Sequence, residues 1–356
     1  MKLCYKFNAI KGIQAKRDYF VTMIPLKMLS ELFDNDEECV SPEFRAQRKL
    51  NESRVPNIRK YILENRDNYV FSSLAASVDG NYIFYPLDNT DSIGILEIRK
   101  DSKFLINDGQ HRRAAMIEAV KVDKELGEET IPVVLFFDQN LSRSQQIFTD
   151  LNKNAVKTSN SISKLYDNRD ELSVLTRKTI YKIEFFNIYT DKEKDNLGKF
   201  SSHLFTLNTF HKANKIILKN SISKDSEFFL YEFWLNVAEN MMPWKELDNK
   251  MITKLDLRQN YICTQNVFIH ALGKVGNYFY EHRELDMVQY LKCLRKIDWN
   301  RNSKYWYMRV VNKHDKIMTN SKSVLLISNL IKTEMGINLD SKEIIEEKKV
   351  RELQED

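Results

Sequence analysis

Glycine and proline are scarce in this sequence, nine and six among 356 residues. So few permissive or helix-breaking positions argue against long flexible linkers, and neither an internal repeat nor a low-complexity tract is visible. Cysteine is sparser still. Cys4, Cys39, Cys263 and Cys293 form no C-x-x-C pair and match no zinc or iron–sulfur spacing. The six histidines make no H-E-x-x-H. The N-terminal MKLCYKFNAIKG lacks the apolar centre of a signal peptide, which points to the cytoplasm and to reduced thiols. The expectation is therefore four free cysteines, no structural metal and no disulfide. No apolar run approaches the ~20 residues that cross a bilayer; the longest, Val133 to Phe137, suits a buried strand. A G-x-x-x-x-G-K-[ST] loop is missing, as are clustered carboxylates for a metal pair. The sequence thus names no catalytic residue.

What is present is aromatic and charged. Sixteen Tyr and twenty Phe supply large buried areas, and 42% hydrophobic with 29% charged residues is a globular composition. The length suits two domains. The net charge of +5 is modest, but its distribution is uneven. Residues 41–66 carry seven Lys/Arg against three acids, and residues 299–313 carry four with no acid. The last seventeen residues hold seven acids against four bases. Concentrated positive charge is what a polyanion site requires; surface cations also cluster without any ligand.

The first half alternates strand and helix signals. Short helices are expected over Pro25–Phe33, Pro42–Leu50 and Pro56–Glu64, the last two with Pro in the first turn. Tyr69–Val78 and Asn81–Pro86 read as strands joined at Asp79-Gly80, a hairpin signal. Ile93–Ile98 and Lys103–Ile106 read as a second hairpin. A strand ending at Ile106, a turn, a helix over His111–Leu126 and a strand over Ile131–Phe137 suggest a right-handed crossover. Beyond residue 140 the periodicity is helical: Ser142 onward, then Asn168–Ile180, Thr206–Leu218, Asp225–Met241, Gln265–His282 and Ser321–Met335. Asp340–Asp356 reads as a solvated, frayed helix. The expected class is α+β, with an α+β domain over 1–140 and a helical domain with an acidic tail over 141–356.

The turn Asp108-Gly109-Gln110-His111-Arg112-Arg113 lies between strand and helix. A helix start offers unpaired N–H groups and a positive dipole end, so it favours phosphate. Gly109 lets the backbone approach an anion. Arg112 can grip phosphate bidentately and His111 can donate to it. Asp108 is placed to be the N-cap. A cation in the first helical turn opposes the dipole, so removing Arg112 is expected to leave stability nearly unchanged while ligand affinity falls. Asp-Gly is also a generic turn, and arginines are also ordinary solvated charges.

DGQHRR preceded by a hydrophobic strand resembles the signature of DGQHR-domain proteins. Phe148-Thr149-Asp150-Leu151-Asn152 with Lys153 and Lys157, Asn168-Arg169-Asp170, the Ser201–Asn208 stretch, and Trp299 with Tyr305-Trp306 resemble the same group. Within it the chain looks most like the DndB family of DNA sulfur-modification (phosphorothioation) proteins. The G-x-H-R core is similar to the phosphate-binding turn of the ParB and sulfiredoxin fold. Sulfiredoxins carry cysteine there and this chain carries Gln110, which argues against sulfinic-acid repair. The resemblance implies a ParB/sulfiredoxin-like first domain and a repressor that binds DNA.

Asp108, Gly109, Gln110, His111, Arg112, Arg113 and Lys157 are the candidates for holding phosphate of DNA or of a nucleotide. Arg45, Arg48, Lys49, Arg54, Arg59 and Lys60, with Arg301 and Lys304, are the candidate DNA contacts. Arg45, Arg48 and Lys49 fall at helical i, i+3, i+4 spacing, which suits backbone phosphates or a solvated face. Trp299 and Trp306 read better as core than as stacking platforms. Double-stranded DNA is the expected partner, with other DNA-modification proteins and a homodimer left open and no membrane. A nucleotide is the sole cofactor candidate. The alternative is a nucleotide hydrolase or nuclease using the same loop, or a scaffold in which the loop only turns the chain.

Overall fold

The computed structural model describes residues 3–33, 52–137, 141–153, 158–219 and 221–355. The chain divides into two compact units, Met1–Val156 and Lys157–Asp356. Among the described residues the first unit is built on a seven-stranded mixed sheet and the second is almost wholly helical. The protein is α+β.

Two long strands open the first unit: β1 (Cys4–Gln14) and β2 (Arg17–Pro25). They pair antiparallel, Gln14 opposite Arg17. Ala15 and Lys16 between them both have positive φ, 49° and 63°, which is the signature of the mirror-image turn that matches strand twist. Phe20, Thr22 and Ile24 alternate inward along β2. Helix α1 (Leu29–Leu32) follows, then α2 (Val55–Glu64) with Pro56 in its first turn. The remaining strands are β3 (Leu74–Asp79), β4 (Tyr82–Pro86), β5 (Ile93–Arg99), β6 (Lys103–Asp108) and β7 (Thr130–Phe137). Helix α3 (Gln110–Val122) joins β6 to β7, and α4 (Leu141–Lys153) follows.

The sheet order is β4-β5-β1-β2-β7-β3-β6. Neither expected hairpin forms. β3 pairs with β6 and β7, while β4 pairs with β5 alone, so Asp79-Gly80 carries the chain from one side of the sheet to the other. Residues 100–102 do the same between β5 and β6. Such short links reach because the sheet curls. Phe20 of β2 meets Tyr82 and Phe84 of β4 with ring centroids 5.2 Å apart, and Tyr5 of β1 meets Phe104 of β6 at 6.1 Å. The crossover expectation also changes. The parallel pair is β3 with β7, and β6 runs antiparallel to β3. β6 and β7 therefore flank β3 in opposite directions, and α3 links antiparallel strands. α3 ends at Val122 and a 3-10 turn covers Lys124–Glu128, so the helix stops short of the expected Leu126.

The second unit begins with α5 (Asn160–Tyr166), α6 (Glu171–Lys182) and α7 (Glu184–Tyr189). A two-strand parallel pair, β8 (Thr190–Asp191) and β9 (Phe205–Thr206), precedes α8 (Leu207–Leu218). Then come α9 (Ser226–Asn240), α10 (Met242–Asp248), α11 (Lys254–Asn260), α12 (Asn266–Glu281), α13 (Met287–Leu291), α14 (Ser321–Glu334) and α15 (Ser341–Glu355). α8 and α12 pack closely: a Cβ on Gly273 would lie 2.9 Å from the Ala213 carbonyl oxygen. All four tryptophans are buried, each contributing roughly 2–3 kcal/mol of burial. Trp299 and Trp306 stack with centroids 5.5 Å apart, so they are core. The acidic end is not frayed. Val350 is fully buried on α15, and Glu343 and Glu347 are buried ion-pair partners of Lys332 and Arg309. No helix among the described residues is long and apolar enough to cross a membrane.

Candidate phosphate site at the Gly109 turn

The turn is built from the end of β6. Asn107 is completely buried: its side-chain carbonyl accepts from Ser77 Oγ at 2.9 Å and its amide donates to the Ser144 carbonyl at 3.1 Å. It thereby ties the turn to β3 and to α4. Asp108 ends the strand opposite Ala75, at a register irregularity. It is not the N-cap. Gly109 occupies that position in the left-handed region, with φ 97° and ψ 16°, and no side chain caps α3. Only glycine adopts this backbone at little cost, and a Cβ there would stand 2.4 Å from Leu74 Cδ2. The helix's backbone hydrogen bonding starts with Arg113 N–H to the Gly109 carbonyl, at 2.9 Å. The turn therefore presents helix-start N–H groups, the property that attracts anions. Gln110 adds a buried amide nitrogen that has no hydrogen-bond partner.

Both arginines are more structural than their position suggests. Arg112 Nη1 donates to the Ser72 carbonyl at 2.6 Å and the Ser73 carbonyl at 3.1 Å, and also to Ser72 Oγ. Its Nη2 donates to Asp108 Oδ2 at 2.9 Å. Arg112 thus ties the segment before β3 to the turn, and removing it frees four backbone and side-chain acceptors. The expectation of a neutral effect on stability is corrected to a loss, of about 1.5–3 kcal/mol on the scale of charged hydrogen bonds. Arg113 is buried and donates to the Phe33 carbonyl. His111 is half-buried beside them.

The basic candidates scatter. Arg45, Arg48, Lys49 and Lys157 lie outside the described residues, as does Cys39. Arg54 and Lys60 are exposed and Arg59 is half-buried, at the start and along α2, which packs against α3. Lys60 lies 3.6 Å from Glu64. Arg66, counted in the same basic window, is engaged by Asp123 and Glu129, and these carboxylates hold its guanidinium above the usual range. In the second window Arg309 is a buried partner of Glu347, and Arg301 donates to the carbonyls of Gln259 and Asp315. Lys304 is exposed. The local charge excess that reaches solvent is thus smaller than the sequence count. Lys153 is exposed at the end of α4, and Asp150 accepts from Gln146 at 2.7 Å. No group of three His, Cys, Asp or Glu fit for a metal occurs among the described residues.

The Asn168-Arg169-Asp170 segment serves the second unit's packing. Asp170 Oδ2 accepts from Ser173 Oγ at 2.5 Å, His211 Nε2 at 3.1 Å and Lys164 at 3.3 Å. Burial raises the Asp170 carboxyl, but those three donors outweigh it and bring it down to about 2. Burial lowers the His211 imidazole, and burial together with nearby Lys212 pushes His270 down to about 4. The unfolded chain therefore binds protons below pH 6.5 that the folded chain refuses. Stability should fall as pH drops from about 6.5 to 4, by up to about 3 kcal/mol through His270. Asp170 adds a further loss from about pH 4 toward 2. Urea denaturation at pH 7 and pH 4.5 measures this; His270→Gln should flatten the upper part of the decline, and equal stability at both pH values would contradict the assignment.

These features define an α+β protein with a left-handed glycine turn opening an uncapped helix. A model of the DndB family, described as DNA-sulfur modification-associated, matches residues 7–338. The chain belongs to that family, and the match runs through both units. Neither the curated proteins nor the solved structures yielded a match.

Proposed function

We propose that this protein is a DNA-binding regulator, a repressor, of a DNA phosphorothioation system, and that the Gly109 turn holds a phosphate of DNA or of a nucleotide in a ParB/sulfiredoxin-like manner. The observation that carries this reading is the uncapped start of α3 behind a left-handed Gly109. In it the backbone N–H groups at the start of α3 and the orphaned Gln110 side-chain amide contact the anion, with His111 and the Arg112 Nη2 as charged or polar donors. Asp108 is the counterpart already in place: its carboxylate sits on Arg112 where a phosphate would compete. Arg54, Arg59 and Lys60 on and before α2 give further contacts to the DNA backbone, and Lys304 is a separate candidate contact on the helical unit.

Affinity for duplex DNA carrying the promoter of the modification genes should fall steeply with salt, with a slope near −0.9 per phosphate contact. Asp108→Asn removes the competing charge yet keeps an oxygen for Arg112, so it should tighten binding by about two- to tenfold on the scale of one nearby like charge. Fluorescence anisotropy at several salt concentrations reads both effects. A flat salt response, or weaker binding by Asp108→Asn, contradicts the reading. Sustained nucleotide turnover dependent on the turn would favour the hydrolase instead.

A further inference from the structure

The helical unit contains a pocket of about 320 Å³ lined by the Asp195–Lys199 loop, Leu204 and Thr206 before α8, the end of α11 and the start of α12. We propose that this pocket binds a terminal phosphate monoester, carried by a mononucleotide or by a 5′-phosphorylated DNA end, at a site separate from the Gly109 turn.

Three independent features point the same way. Arg258 donates to the carbonyls of Gly198 at 2.8 Å, Lys199 at 3.1 Å and Leu197 at 3.5 Å, and pairs with no carboxylate among the described residues. Burial lowers its guanidinium and no neighbouring acid counteracts that. A cation held half-buried without a counter-charge is costly unless an anion joins it. The second feature is α12, sixteen residues long, which opens on the pocket at Gln265 and Asn266. Gln265 does not cap it; its amide donates instead to the Arg258 carbonyl at 3.5 Å. The helix's hydrogen bonding starts with Phe268 N–H to the Gln265 carbonyl at 3.0 Å, so the N–H groups of Asn266 and Val267 have no backbone acceptor among the described residues. The third is Thr264, a residue of the pocket lining that is 6% exposed, whose buried hydroxyl finds no hydrogen-bond partner. A buried hydroxyl without a partner costs free energy that a ligand oxygen would recover.

The one acid in the lining does not oppose this. Asp195 spends both oxygens on α5: it accepts from the N–H and side-chain amide of Asn160 at 2.8 and 2.7 Å, and from the N–H and hydroxyl of Ser161 at 2.9 and 3.0 Å. Lys199 stands at the rim as a second cation. A guanidinium, an ammonium and a helix start together suit a dianionic phosphate better than a carboxylate. The volume exceeds what phosphate alone needs and lies at the lower end of small-ligand sites, which leaves room for a sugar and base against Asn196, Gln259 and Thr319.

The test is calorimetric titration of the full chain with deoxyadenosine 5′-monophosphate, deoxyadenosine, inorganic phosphate, and a duplex with or without 5′-phosphates. The monophosphate or the phosphorylated duplex should bind while deoxyadenosine does not; whichever of the two binds identifies the source. Arg258→Met should weaken that binding by at least about tenfold, the scale of a charged hydrogen bond. Arg258 also braces residues 197–199, so Thr264→Val serves as the second variant: it removes only an unpartnered hydroxyl, should leave the melting temperature unchanged or higher, and should weaken binding several-fold. Gly109→Ala, where folded, should leave intact the monophosphate binding and the increment that a 5′-phosphate adds to duplex binding. Absence of any phosphate-dependent binding, or binding unchanged in both Arg258→Met and Thr264→Val, overturns the site. Binding lost in Gly109→Ala alone also overturns it and assigns the phosphate to the turn.

Discussion

Replacing Arg309 by methionine should destabilise the helical unit by about 3–5 kcal/mol, the usual cost of leaving a buried charge unpaired. The Arg309 guanidinium meets Glu347 with both forks, Nη1 to Oε1 at 2.5 Å and Nη2 to Oε2 at 2.8 Å. Its remaining donors reach the carbonyls of Leu326 and Tyr305, each at 3.0 Å. The methionine variant strands a buried carboxylate and frees two carbonyls. Urea denaturation should therefore show a lower midpoint for Arg309→Met, whereas Arg309→Met with Glu347→Leu should recover most of the loss because the orphaned charge is gone. An Arg309→Met protein as stable as wild type would show that α15 is not held by this pair.

Gly109→Ala is the second large effect, and it links stability to the site. Forcing a non-glycine residue to φ 97° costs on the order of 1–3 kcal/mol. The new methyl group also meets Leu74 Cδ2, on a side chain with no exposure, at 2.4 Å, and overpacking of that kind adds about 1–3 kcal/mol. A thermal melt should fall markedly, and DNA affinity should fall with it as the methyl group crowds the helix start. Arg112→Ala should also lose stability by untying Ser72 and Ser73, but less. An alanine at 109 with an unchanged melt would mean the turn relaxes to an ordinary conformation, and the anion-binding geometry would go with it.

The long helices of the second unit were readable because amphipathic runs need only local information, and Asn320 and Thr206 prove to cap α14 and α8 through their side chains. The short helices α5, α7, α10, α11 and α13 were not read from the sequence. Nor were the two longest strands. β1 and β2 are joined by Ala15-Lys16, which lacks the Gly or Asn that marks such a turn, and nothing local signals them. Asp79-Gly80 failed for the opposite reason. Its local chemistry is a hairpin's, but the partner of β3 is decided by how the whole sheet curls, and long-range pairing is invisible in a six-residue window. The turn at Asp108–Arg113 was legible as a glycine before a helix. That Asn107 is its buried anchor, and that Arg112 and Arg113 hold Ser72, Ser73 and Phe33, was not, since those acceptors are backbone groups 39 to 80 residues away. Counting charges also overstated the basic surface, because Arg66 and Arg309 find acids far along the chain.

The most direct measurement of the central claim is the backbone amide spectrum of the isotopically labelled protein during titration with promoter duplex. The account predicts that the amides of Gln110, His111 and Arg112 shift in a saturable manner with the DNA affinity, and that Asp108→Asn makes them saturate at lower DNA concentration. If the DNA binds while these three amides stay in place, the Gly109 turn is a folding device and the phosphate contacts lie elsewhere.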